Sequence, residues 1–158
     1  MSDPSLRHAG VMKALILGGT GFIGRRVSEV LHERGDEVTV AHRGVSEPVN
    51  WIPIRHIHAD RHELTAQKSA VRSFGPDVVV DAGAFTAQDV DAVIAVLPDV
   101  PVVVLSSQDV YQAISAFREG RNDVPVPIVE DSELRRNRYP YRGNGYAGVP
   151  EDYEKMQS

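Results

Sequence analysis

The stretch LILGGTGFIG places Gly18, Gly21 and Gly24 at GxxGxxG spacing, and Gly19, Gly21 and Gly24 also satisfy GxGxxG. Either pattern suits the cradling of a pyrophosphate. The chain turns tightly out of a strand at a residue free to take positive φ, and the backbone approaches phosphate oxygens with no Cβ in the way. The last glycine then lets the following helix lie close on the sheet. Unpaired N–H groups at that helix's start, with their partial positive charge, complete a dinucleotide site. In such sites an acid at the end of the second strand accepts from a ribose 2′-OH. Here that position reads AHRG, with His42 in the acid's place and Arg43 beside it. A planar guanidinium suits a 2′-phosphate by bidentate pairing, so the expected cofactor is NADP rather than NAD. A second chemistry is tested by HIHADRH, in which His56 and His58 share a strand face and Asp60 and His62 follow. The spacing is loose and no Cys or Glu stands among them, so the stretch reads as a strand edge with ordinary histidines and no metal site is expected.

The elements that position these residues follow from hydrophobic pattern. VMKALIL (11–17) is an apolar run dense enough for a strand buried on both faces, and the glycines follow at once. In FIGRRVSEVLHERG, Phe22, Ile23, Val27, Val30 and Leu31 fall at helical spacing, with Gly35 as a C-terminal cap. EVTVAHR (37–43), IRHIHAD (54–60), DVVVDAGA (77–84) and PVVVLSS (101–107) read as further strands. AQKSAVRSFG (66–75) and AQDVDAVIAVL (87–97) read as the helices between them. Strands alternating with helices predict an α/β fold, a doubly wound parallel sheet with helices on both faces and strand order 3-2-1-4-5. Residues 1–10 read as a polar, loose leader and 11–119 as a dinucleotide-binding Rossmann domain. Residues 120–158, rich in Pro, Gly, Asn and charges, read as a long loop and terminal helix, a lid or the start of a substrate-binding part.

Composition narrows the function classes. A chain of 158 residues with formal net charge −5 has no basic block, so a nucleic-acid partner is not expected. Without cysteine there is no disulfide framework, thiolate nucleophile or Cys-ligated zinc, which fits a cytoplasmic protein. No run approaches the roughly 18 apolar residues of a membrane span, so no membrane partner is expected.

Four segments in order, GGTGFIG (18–24), ADR (59–61), DVVVDAGA (77–84) and VVVLSSQDVY (102–111), resemble the extended and atypical short-chain dehydrogenase/reductases, the NAD(P)-dependent epimerase/dehydratase group. The resemblance covers nearly the whole chain. It implies that Gly18, Thr20, Gly21, Phe22, Ile23 and Gly24 hold the cofactor, that Asp60 lies by the adenine amino group and Arg61 near the adenine face. It further implies that Ala82 and Gly83 let a ribose approach the backbone and that Ser106 faces the cofactor. Enzymes of this group exchange a proton through a Tyr, assisted by a Lys in a YxxxK helix and by a Ser after strand five, while the nicotinamide exchanges a hydride. The match puts Ser107 in the serine role and Lys155 in the lysine role, with a hydroxyl or carbonyl substrate such as a nucleotide-linked sugar. Four residues before Lys155, however, stands Glu151 and not tyrosine, and Tyr153 falls on another helix face. A tyrosine from the long loop, such as Tyr146, is one substitute, and the alternative is a catalytically incomplete dinucleotide-binding module, a truncated relative or redox sensor. The group's C-terminal substrate domain is not expected within these residues, and a homodimer or other partner is expected to complete the pocket along the fifth strand. RNA binding, known among relatives, is disfavoured by the acidic charge.

Overall fold

The computed structural model describes residues 10–45 and 47–137. They form two compact units, one made of the residues up to Ala84 with Gln88–Leu105, the other of Phe85–Ala87 with the residues from Ser106 onward. In the first unit, β1 (Lys13–Leu17), β2 (Glu37–His42), β3 (Arg55–His58), β4 (Val78–Asp81) and β5 (Val102–Val104) form one sheet of order β3-β2-β1-β4-β5. Every pairing is parallel. Helices α1 (Phe22–Glu33), α2 (Lys68–Phe74) and α3 (Ala87–Ile94) supply the crossovers.

Side chains alternate across β1, and the core divides accordingly. Ala14 and Ile16 join Val38 and Val40 on one face, under Val27 and Leu31 of α1 and under Trp51 and Ile54 of the β2–β3 connection. Leu15 and Leu17 join Ala41, Ile57 and Val79 on the other, under Val71 and Phe74 of α2 and Val93 of α3. Trp51 Nε1 donates to Glu29 of α1 at 3.0 Å, which ties that connection to the helix. At the opposite end of the strands, the Asp36 carboxylate accepts from Met12 N–H and that of Asp77 from Lys13 N–H, so β1 is held at its start by both neighbouring connections.

The fold matches the sequence expectation, with three differences in detail. A 3-10 helix (Arg61–Gln67) precedes α2, because Asp60 caps it by accepting from His62 N–H and so starts the turn earlier than the apolar spacing suggests. Helix α3 closes at Ile94, its last carbonyls taken up by the tightened turn Val96 N–H to Val93 O before Pro98. In β5 the valines are 38 to 50 % exposed, so the described residues, in which β4 is its one paired strand, do not cover this strand on both faces.

The second unit holds a 3-10 turn (Gln108–Val110) and α4 (Gln112–Arg118), a helix the sequence pattern did not single out. It is short, and its buried stripe is only Ala113 and Ala116, too weak an apolar signal to stand out. Tyr111 bridges Leu134, Gln112 N–H donates to Glu133 O, and Arg135 N–H donates to Val110 O. Arg118 of α4 and Arg135 both pair with Asp109 at 3.1 Å, the second pair fastening the 121–137 segment to the turn.

Candidate functional site

The glycine turn leaves β1 at its C-terminal end. Gly18 takes φ +72°, a conformation that side chains disfavour. A Cβ there would sit 3.7 Å from Gly83 N, so the turn after β1 and the turn after β4 touch. Gly18 N–H donates to Ala41 O, Ala82 N–H donates to Leu17 O, and Gly21 N–H donates back to Gly18 O at 3.0 Å. A Cβ on Gly24 would fall on the Gly18 carbonyl, so only glycine lets α1 approach the turn this closely. Ser28 holds that approach, its buried hydroxyl donating to Gly24 O at 2.8 Å. The N-cap of α1 is Gly21, with no side-chain cap and no acid in the first turn. Its leading N–H groups therefore face outward uncontested, the electrostatic condition for an anion. Phe22 beside them is 96 % exposed, and Ile23 is exposed too.

At the end of β4 the buried Asp81 accepts from both Arg61 nitrogens, at 2.7 and 3.1 Å, and from Gly83 N–H at 3.0 Å. Arg61 also donates to Asp89 O. This fork fixes Arg61 and shapes the Ala82–Gly83 turn. Sequence reasoning missed Asp81, although an acid closing a valine strand was the available signal. Asp60, beside Arg61, is engaged as the cap of its own turn.

At the ends of β2 and β3, parallel register sets His42 beside His58, and Val40 beside His56. Both strands thus present histidines on the face that carries α1. His42 Nε2 lies 2.8 Å from His56 Nδ1, and His58 Nε2 lies 2.7 Å from Glu47 Oε1. Gly44 N–H donates to His42 Nδ1 at 3.1 Å. Burial holds the His42 pKa below the ordinary imidazole value, with the neighbouring His56 and His58 adding to the effect and Glu47 opposing it. His62 is turned elsewhere, pairing with Asp89 at 3.2 Å. Of the residues weighed in HIHADRH, Asp60 and His62 lie apart, while His42 and Glu47 stand beside His56 and His58. Arg43, following β2, is exposed and makes no ion pair among the described residues.

In the second unit, Ser106 and Ser107 are exposed, and the Ser107 hydroxyl accepts from Asp109 N–H at 3.2 Å as the cap of the 3-10 turn. Tyr146, Glu151, Tyr153 and Lys155 lie outside the described residues.

Residues 14–97 match the NAD dependent epimerase/dehydratase family. The chain belongs to that family. Among curated relatives, chloroplast stem-loop binding protein of 41 kDa b from Arabidopsis thaliana is 33 % identical over 113 residues, covering 63 % of this chain and 30 % of that protein. Two solved structures share the fold. The Bordetella bronchiseptica enzyme WbmG, in complex with NAD, aligns at TM-score 0.61 and 19 % identity over 82 % of this chain and 46 % of its own. The UDP-glucose-4-epimerase of Stenotrophomonas maltophila, with bound NAD and formylated UDP-arabinopyranose, aligns at 0.63 and 17 % over 78 % and 43 %. The chain thus spans less than half the length of each of these proteins. No helix among the described residues is long and apolar enough to cross a membrane. The glycine turn, the fork at Asp81 and the ends of β2 and β3 all lie at strand C-termini, the side on which open α/β sheets in general take their ligands.

Proposed function

We propose that this chain binds a nicotinamide dinucleotide across the C-terminal ends of β1, β2 and β4, with NADP preferred over NAD. The observation that carries this is the uncapped start of α1, drawn against the glycine turn in a chain of the NAD dependent epimerase/dehydratase family. The pyrophosphate accepts from the first N–H groups of α1, and the Ala82–Gly83 turn, stiffened by Asp81 and Arg61, lets a ribose lie close to the backbone. The NADP preference rests on His42 in place of an acid and on the exposed Arg43 next to it. Bound NAD in WbmG and in the Stenotrophomonas epimerase supports the dinucleotide but not that preference.

The chemistry proposed for the complete site is hydride exchange at a hydroxyl or carbonyl, with a nucleotide-linked sugar as substrate class and Ser107 orienting the substrate oxygen. A second reading, a dinucleotide-binding module without turnover, is favoured by Glu151 standing where a YxxxK tyrosine belongs. The Arabidopsis relative is named for stem-loop binding, a role to which the charge of −5 here lends no electrostatic support.

Calorimetric titration with NADPH and NADH tests the proposal. Saturable binding with NADPH the tighter ligand is expected. No binding of either at about 1 mM, the weak end of specific affinity, overturns the dinucleotide reading, and tighter NADH binding overturns the preference.

A further inference from the structure

The end of β2, the β2–β3 connection and β3 bring together four side chains of transition-metal type. The ligand atoms of His42, Glu47, His56 and His58 all lie within 4.8 Å of one another. Individual separations are 2.7 Å for His58–Glu47, 2.8 Å for His42–His56, 3.6 Å for His42–Glu47 and 3.7 Å for His56–Glu47. Tetrahedral zinc with bonds of about 2.0–2.1 Å sets its ligand atoms about 3.3–3.4 Å apart, and these four separations straddle that edge. Three imidazoles and one carboxylate suit zinc in donor type, and the set is complete at four.

The cluster does not owe its existence to chance exposure. Its innermost member, His42, is buried, and the rings of His42, His56 and His58 meet edge to face with centroids 4.9 to 5.9 Å apart. Trp51 closes the inner side against His56 at 5.8 Å, while His58 and Glu47 keep an entry path open to solvent. Two strands supply the histidines at fixed register, so three of the four donors are held by the sheet rather than by a loop.

We propose that His42, Glu47, His56 and His58 form a binding site for one zinc ion per chain. The hydrogen bonds define how the metal enters. With Gly44 N–H donated to His42 Nδ1, the neutral His42 ring carries its proton on Nε2, and Nε2–H donates a hydrogen bond to His56 Nδ1. His56 Nδ1, which carries no proton in this arrangement, and the Glu47 carboxylate are the donors open to zinc without a tautomer change. His42 joins by moving its proton to Nδ1, which turns the Gly44 peptide away. Gly44, at φ +75° and outside the strands, accommodates that turn. His58 likewise moves its proton to Nδ1 when Nε2 binds. The site shares His42 with the end of β2 but rests on ligand geometry alone, and its filling pins the β2–β3 connection to both strands.

The test is equilibrium dialysis of tag-free protein against Zn²⁺ with elemental analysis, together with Co²⁺ substitution read by visible absorption. One equivalent of zinc, a Co²⁺ spectrum of tetrahedral intensity and a zinc-dependent rise in the thermal midpoint are expected. Loss of even an outer partner of a metal ligand weakens such sites by about 10–100-fold. His58→Ala and Glu47→Gln should each weaken binding at least that much and remove the thermal shift. Both positions are exposed, so the variants fold, as circular dichroism will verify. His62→Ala, outside the cluster, should bind like the parent. Substoichiometric zinc in the parent, or undiminished affinity in His58→Ala, overturns the proposal.

Discussion

Arg61 and Asp81 pair at the end of β4, the carboxylate buried and the guanidinium half-buried. Asp81 is 1 % exposed and satisfied by three donors, two from Arg61 and one from Gly83 N–H. Removing the guanidinium leaves a buried carboxylate with one donor, the situation that costs about 3–5 kcal/mol in buried pairs. Because Arg61 itself is partly solvated, water replaces some of the loss, and Arg61→Ala is expected at the low end, about 3 kcal/mol, by urea unfolding. Asp81→Asn combined with Arg61→Met should recover much of it, since no buried charge then stands alone. Arg43 contrasts with Arg61 because nothing in the described residues holds it. Arg43→Asp should therefore leave stability within about 0.5 kcal/mol of the parent. It should weaken NADPH at least tenfold and spare NADH in calorimetry, whereas equal losses for both would remove Arg43 from the 2′-phosphate. The two arginines also show what a sequence conceals at this scale. Arg61 meets its partner 20 residues on only through the parallel sheet, and His42 meets His56 across 14 residues in the same way. The glycines were legible because a demand on the backbone is written directly as a residue type. The histidine cluster was not, because its membership depends on register.

At the scale of elements, the distance between α1 and the turn after β1 is set by a single missing Cβ. Gly24→Ala adds a methyl that would overlap the Gly18 carbonyl, and backbone cannot yield as a side chain would. The substitution gains at most about 1 kcal/mol of helix propensity, less in a first turn, while overpacking against backbone costs about 1–3 kcal/mol. The expected net is a loss of about 1–2 kcal/mol in urea unfolding, with NADPH binding weakened at least tenfold as the α1 N–H groups withdraw. Unchanged affinity would separate the glycine turn from the ligand. The main strands and the first helix were readable from pattern because each buries a face with a regular period. The 3-10 helix before α2 was not, since it arises from the Asp60 cap and not from apolar spacing. Helix α4 likewise buries only two alanines, and its hold comes from Gln112, Arg135 and Asp109 through bonds to a later segment that no local pattern records.

For the molecule as a whole, β5 is where the parallel sheet is least finished. Val102, Val103 and Val104 form an apolar strip on a strand with β4 as its one neighbour among the described residues. A strand of this kind offers unpaired N–H and C=O groups together with apolar side chains, which is a template for pairing with another chain. The sequence order already marked strand five as an open edge; the run of valines did not show that, among the described residues, its side chains stay 38 to 50 % exposed. Val103, at 50 % exposed, is the informative position. A lysine there reaches solvent with its charged head, so the stability cost should stay within about 0.5 kcal/mol. The same charge opposes edge-to-edge pairing. Val103→Lys is therefore expected to lower self-association across a concentration series in light scattering while leaving NADPH affinity unchanged. Equal self-association would show that β5 is not the contact, and a stability loss beyond about 1 kcal/mol would show that this face is covered in solution.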